Sequence, residues 1–387
     1  MTDLKHIDAL FNDGKNDAGF RALQAYTAEN QHDLSQLYRF AVLAEQLGTK
    51  VEASNAWDTC LKHLDANVLV YLYAGCFFFK VGDTPKATAI LSLGQDKDPR
   101  LIHFYRDEKL ESQTRERSYR ANQILRKHFS ELHRITVGEE PSRHSIYKAI
   151  WPQTHDEVFH YQHKQQLPNV LYIPHLKAQP YWSAEAFGGE YVEQNFDVIR
   201  REFLSLTERD YLSGEPYLES GFTSRNFEKL AGSLNWTALH LFKNGIENKV
   251  LTSKFEKTIG ILKRLPLYGL NENPYEVFLS VLKPGQHIAP HYGPSNHSLT
   301  IHLPLVIPGE GYLRVGEEKK TWKEGKLVAF DDSFEHEAIN QSSKDRVVLI
   351  FSIWHPELSS EERKAIQETF NARLLWLEGR QGYLCNL

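Results

Sequence analysis

The chain is poor in cysteine, lacks long apolar runs and carries no dominant charge, and each shortage removes a class of protein. Cysteine occurs three times, at Cys60, Cys76 and Cys385, with no C-x-x-C pair. An odd and widely spaced set argues against both a disulfide framework and a thiolate zinc cluster. Nowhere do ~18 apolar residues follow one another, so no membrane-spanning helix is expected. The 45 basic and 50 acidic residues leave a net charge of −5. That balance gives no general reason to expect nucleic acid or a membrane surface as partner. The amino-terminal MTDLKHIDALFNDGKND has charges every few residues and no apolar stretch. No secretory signal is expected there, and the cytoplasm is the expected location.

What is present is ordinary globular material: 387 residues, 41% apolar and 25% charged, long enough for two domains. The first hundred residues repeat. Gly14, Gly48 and Gly82 are spaced by 34, as are Gly19, Ala53 and Ala87, and Leu23, Trp57 and Leu91. Leu37 with Tyr71, and Ala41 with Gly75, keep the same register. A period of 34 with small residues where helices approach closely is the tetratricopeptide signature. The glycines of the first column mark the turn between the two helices of each unit. Segments 37–47 and 68–79 read as helices, and 115–135 as one long helix. We therefore expect tetratricopeptide-like repeats over 1–110, a helical connector over 111–167 and a second domain over 168–387. Repeats of this kind offer a surface for a protein partner.

From about residue 168 short alternating stretches with Gly/Pro turns take over. Segments 275–285, 298–311, 311–322, 326–332 and 345–356 read as strands, which suggests a sandwich or barrel. Residues 359–377 read as a capped helix. His291, in HIAPHYGPSN, and His336, in DDSFEHEAIN, lie at turns. Pro284-Gly285 and Pro290 exclude a helical zinc pair of His287 and His291, so His291 and His336 can meet only through the fold. Alternation puts Arg346 on one face with Val348 and Ile350, and Thr300 with His302 on the face opposite Leu299, Ile301 and Leu303. His155, His160 and His163 are irregularly spaced and read as solvated.

Three stretches then carry a resemblance: PHYGPSNHSLTIHLPLVIP, TWKEGKLVAFDDSFEHEAIN and DRVVLIFSIWHPEL. In this order and at these separations they resemble the aspartyl/asparaginyl β-hydroxylase family, whose members are Fe(II)- and 2-oxoglutarate-dependent dioxygenases. The likeness extends upstream through HLKAQPYW and NWTALHLFKNGIEN, covering about 168–360. It implies a double-stranded β-helix of the jelly-roll, cupin kind, so that the whole chain is a multidomain α+β protein.

The resemblance implies His291 and His336 as iron ligands. Most of the wider superfamily adds a carboxylate two residues after the first histidine. This family lacks it, and Gly293 stands there, implying water in that position. Glu335 and Glu337 flank His336, but strand parity points them away. Arg346 is implied to clamp the distal carboxylate of 2-oxoglutarate bidentately, with Ser280 hydrogen-bonding the co-substrate and His302 near its other carboxylate. Trp236 matches a tryptophan near the substrate mouth. The best-known animal members carry basic residues two and four positions before the equivalent of His302, where this chain has Thr300 and Ser298. Two cations that could meet an acidic substrate are thereby lost. The implied reaction is hydroxylation of a C–H bond, foremost the β-carbon of Asp or Asn in a polypeptide or amino-acid derivative, with an acyl chain as a further option. The rival is a protein-interaction module whose cupin scaffold is catalytically silent.

Overall fold

A computed structural model describes residues 3–63, 67–208, 210, 213–220 and 227–385. The chain divides into two compact units: Met1–Leu132 with Arg373–Leu387, and His133–Ala372. Among the described residues no helix is long and apolar enough to cross a membrane.

The first unit is made of helical hairpins. Leu4–Asn12 (α1) pairs with Asn16–Glu29 (α2), Leu34–Leu47 (α3) with Lys50–Leu61 (α4), and Val68–Lys80 (α5) with Thr84–Lys97 (α6). Each glycine of the 34-residue column falls in the turn inside a hairpin. Gly14 and Gly82 have φ of 74° and 92°, a conformation that side chains resist. Gly48 has a different reason: a Cβ there would lie 3.1 Å from the Phe20 ring. Gly75 lets α5 approach α6, since a Cβ would meet Leu91 at 2.5 Å. Helix starts are capped by Asp33, Asn67 and Asp83, and by a reciprocal Thr49–Glu52 box. These hairpins are consistent with the helical repeats expected for the first hundred residues.

The expected boundaries at 110 and 167 do not coincide with the two units. The long helix Ser112–Val137 (α7) sends Ala121, Ile124, Leu125 and Phe129 into the helical core. Its apolar stripe thus makes most of the expected connector part of the first unit. Trp376 and Leu377, from the expected second domain, also pack on that core.

The second unit holds two antiparallel sheets. Its strands are Tyr181–Trp182 (β1), Glu215–Pro216 (β2), Trp236–Lys243 (β3), Ile246–Glu247 (β4), Glu276–Leu282 (β5), His287–His291 (β6), Ser298–Val306 (β7), Gly311–Val315 (β8), Glu318–Lys320 (β9), Val328–Phe330 (β10), His336–Asn340 (β11) and Arg346–Trp354 (β12). The larger sheet runs β1-β10-β7-β12-β5-β3-β2, with β4 on β3, and the smaller runs β6-β11-β8-β9. This is the jelly-roll β-helix that the resemblance implied.

Strand alternation divides the larger sheet into two faces. Val277, Leu279, Val281, Leu299, Ile301, Leu303, Val347, Leu349 and Phe351 pack outward with Ile199, Phe203 and Leu262 of the covering helices. The opposite face meets the smaller sheet in a second core containing Trp236, Leu282, Ile288, Leu313, Val315 and Ala338. Glu276, Phe278, Ser280, Thr300, His302 and Arg346 belong to that inner face by parity. The side chains singled out for chemistry therefore sit where two sheets close over one another, out of bulk water.

Candidate active site

A cavity of about 530 Å³ lies between the sheets, and its lining includes His291, His336, Arg346, Ser280, His302 and Trp236. All six expected site residues thus meet in one place. The volume suits a small-molecule site.

His291 ends β6 and His336 begins β11, and the two are direct partners in the antiparallel ladder. Their ring centroids are 4.0 Å apart. Pro290 precedes His291 on an edge strand, where a missing N–H is tolerated. His291 Nδ1 lies 2.8 Å from the Ala289 carbonyl, and His336 Nδ1 lies 2.9 Å from the Phe334 carbonyl. A carbonyl only accepts, so both Nδ1 atoms carry the proton and both Nε2 atoms keep a lone pair. Burial lowers the pKa of His291 and pushes that of His336 down to about 3. Two neutral imidazoles with fixed tautomers and paired rings fit a divalent iron. Among the described residues no group of three or more His, Cys, Asp or Glu side chains forms a coordinating cluster.

The acids beside His336 are committed elsewhere, as parity predicts. Glu337 accepts from Arg314 Nε at 2.7 Å and pairs with His287 at 2.8 Å. Glu335 accepts from Arg314 at 3.0 Å and from the Tyr292 hydroxyl at 3.3 Å. A different carboxylate, which the sequence reading passed over, lines the cavity. Asp332 is half-buried, receives the Thr300 hydroxyl at 2.9 Å and packs beside Gly293. A Cβ on residue 293 would lie 2.4 Å from that carboxyl group. The space beside the glycine is taken by the Asp332 carboxyl, which would have to move to admit a Cβ. Burial pushes the Asp332 carboxyl up to about 6. Its neighbour Asp331 faces away and ties the turn together through Gln166 and Ser333.

Arg346 is 2% exposed. Its Nη2 donates to Ser280 Oγ at 3.4 Å, and the guanidinium sits 4.5 Å over the Trp322 ring. Among the described residues, Nε and Nη1 have no hydrogen-bond partner and no acid forms a salt bridge with this residue. Desolvation alone depresses its pKa to about 9. A buried guanidinium without an internal acid is costly, and a bidentate anion supplies what it lacks. Ser280 Oγ also accepts the Trp236 indole N–H at 3.1 Å. Trp236 therefore stands at the Arg346 end, stacked on Tyr217 with centroids 4.2 Å apart. The β3–β5 register sets Ala238 opposite Ser280 and Trp236 opposite Leu282, one same-face step beyond. His302 Nδ1 accepts the Trp322 indole N–H at 3.3 Å, so its proton is on Nε2. Burial first, then the nearby Arg346 charge, holds this imidazole neutral.

The comparisons with known proteins concern this half of the chain. Residues 193–356 match the family model described as Aspartyl/Asparaginyl beta-hydroxylase. The chain is 34% identical over 197 residues to the Homo sapiens aspartyl/asparaginyl beta-hydroxylase, covering 49% of this chain and 24% of that protein. It is 32% identical over 210 residues to aspartate beta-hydroxylase domain-containing protein 2 of Xenopus tropicalis, covering 53% and 55%. It is 29% identical over 178 residues to the ornithine lipid ester-linked acyl 2-hydroxylase of Rhizobium tropici, covering 45% and 58%. The chain thus spans less than two thirds of the length of each of these curated relatives.

Proposed function

We propose that the chain, whose residues 193–356 match the aspartyl/asparaginyl beta-hydroxylase family model, is a member of that family and an Fe(II)- and 2-oxoglutarate-dependent hydroxylase. The observation that carries this reading is Arg346. It is a buried guanidinium with two nitrogens unsatisfied among the described residues, in the same cavity as a pair of imidazoles whose Nε2 atoms carry lone pairs. A silent scaffold has no use for either arrangement, and together they match a chelated dicarboxylate.

In this reading His291 and His336 hold the metal through Nε2. Arg346 and the Ser280 hydroxyl anchor the distal carboxylate of 2-oxoglutarate, and His302 Nε2–H donates to a carboxylate oxygen. When bound, iron and co-substrate supply dioxygen chemistry in which one oxygen atom enters a C–H bond as hydroxyl while 2-oxoglutarate becomes succinate and carbon dioxide. The protein's part is positioning and shielding. Trp236 and Trp322 fix Ser280 and His302, and Phe330, Leu313 and Ile288 line the cavity with apolar surface. Asp332, held by Thr300, offers a hydrogen-bond acceptor beside Gly293, in the space a Cβ there would take.

The substrate in this proposal is an amino-acid residue or derivative. The β-carbon of Asp or Asn follows from the family premise, while Ser298 and Thr300 line the cavity without offering a charge to an acidic group. The test is incubation with Fe(II), 2-oxoglutarate and dioxygen. Succinate should form, and a substrate should gain about 16 mass units for one inserted oxygen atom. No iron-dependent succinate under any condition would overturn the proposal.

A further inference from the structure

The lining of the cavity has an order along β7. His302 lies near Arg346, at the end assigned to the co-substrate, and Thr300 comes next, holding Asp332 beside Gly293. His297 immediately precedes the strand and lines the same cavity. It stands roughly 16 Å along the strand from His302, at the opposite end of β7 from the co-substrate anchor.

The His297 side chain is fixed and unmet. It is 2% exposed, and among the described residues neither ring nitrogen has a hydrogen-bond partner. The His297 carbonyl accepts the His355 N–H at 2.9 Å. The preceding side chain, Asn296, accepts the Ile173 N–H at 2.8 Å and donates to the Ile173 carbonyl at 3.0 Å. Around the imidazole stand the rings of Tyr268, Phe370 and Trp354, with centroids 4.8, 5.7 and 5.8 Å away. Burial first, then the neighbouring His355, brings its pKa down to about 3, so near neutral pH the ring offers one N–H and one lone pair. A buried polar group without partners costs stability, and such a cost persists where a ligand meets it. Glu276 lines the same cavity, and burial pushes its carboxyl up to about 7, so it does not bar an acidic side chain near neutral pH.

We propose that His297 is a substrate-binding residue: one ring nitrogen donates to an oxygen of the substrate's side-chain carboxyl or carboxamide, and the other accepts a main-chain N–H of the same peptide. An Asp or Asn residue carries these groups on either side of its β-carbon, so the two contacts bracket the carbon that the hydroxylase reading oxidises. A neutral N–H serves a carboxylate and a carboxamide alike, and His297 therefore takes both residues. A bare acyl chain offers neither contact and leaves the imidazole unmet. The inference rests on the hydroxylase reading for what becomes of the substrate, but not for its binding.

The test compares the Nα-acetyl amides of aspartate, asparagine and norvaline, the last with no oxygen in its side chain. Binding to the full chain is measured by calorimetry with 2-oxoglutarate and manganese(II). The aspartate and asparagine amides should bind at least about tenfold more tightly than the norvaline amide. His297→Phe keeps an aromatic ring in the cage and removes both nitrogens. It should cut that preference at least about fivefold, while the 2-oxoglutarate midpoint moves less than about twofold. His297→Gln, which keeps a donor and an acceptor, should recover part of the preference. No preference in the wild-type protein overturns the proposal whether or not the variants fold. So does a folded His297→Phe protein with the preference intact, which would leave the two nitrogens to ordered water only. Loss of the preference together with 2-oxoglutarate affinity makes His297 structural and overturns it as well. Selective binding that depends on His297, without any succinate formation with Fe(II), would instead overturn the hydroxylase reading alone.

Discussion

His291 and His336 face each other as direct partners across the β6–β11 ladder, with ring centroids 4.0 Å apart and both Nδ1 atoms tied to backbone carbonyls two residues earlier. The same local device, used twice on neighbouring strands, leaves two Nε2 atoms in one cavity. His336→Ala removes one of them while keeping the strand. Iron content per chain should fall with activity in that variant. Full iron occupancy in a folded His336→Ala protein would show that the pair is not the metal site.

Arg346 tests the co-substrate assignment separately. Replacing it with alanine removes a buried charge whose anion is external to the protein, so the 2-oxoglutarate requirement should rise far more than the iron requirement. The loss should be on the order of 2–5 kcal/mol, or roughly 30- to several-thousand-fold in affinity. Arg346→Lys should recover part of it, since an ammonium cannot reproduce the bidentate fork. Titration of succinate formation against 2-oxoglutarate reads both variants, and an unchanged midpoint would make Arg346 structural.

The Asp332 carboxyl occupies the space that a side chain on residue 293 would take. Supplying the carboxylate that other members of the wider superfamily place there should fail. In Gly293→Asp the new Cβ lands 2.4 Å from the Asp332 carboxyl, and a second acid is driven against the first. Iron affinity should drop, not rise. Gly293→Ala carries the steric part alone and should lose about 1–3 kcal/mol of stability by overpacking, measured by urea denaturation. A stronger iron site in Gly293→Asp would mean that Asp332 yields and that the glycine is a matter of chemistry.

His297 gives the protein a predictable response to acid. Burial takes its pKa from 6.5 to about 3, so below pH 6.5 the unfolded chain binds this proton and the folded chain does not. Its contribution is present in full above pH 6.5 and is lost as the pH falls toward 3. Between pH 7 and pH 5 the wild-type protein should lose on the order of 1–2 kcal/mol more stability than His297→Gln. Denaturation curves of the metal-free proteins at the two pH values decide it. Parallel losses would mean that His297 titrates freely in the folded state.

The properties that repeat along the chain were legible in the sequence. The 34-residue column of Gly14, Gly48 and Gly82 located the turns of three helical hairpins, because positive φ and close helix approach restrict residue type locally. Alternation in 298–306 and 346–354 assigned His302 and Arg346 to the right faces, since the side-chain period of a strand needs no knowledge of its neighbours. The same parity sent Glu335 and Glu337 away from the His291–His336 pair, and both acids are engaged by Arg314. What only the tertiary structure decided depends on how strands pair across long separations. Ladder register makes His291 the partner of His336 and moves Trp236 to the Ser280 end. It also lays Asp332 on Gly293, and the folded cavity brings Glu276 and His297 into one lining. A one-residue slip in any ladder would turn those side chains outward without altering the local sequence pattern, so no spacing within the chain could have announced them. The division of α7 between the two units has the same origin. The apolar stripe of Ala121, Leu125 and Phe129 marks a face to be buried, and only the fold shows that the hairpin core is what buries it.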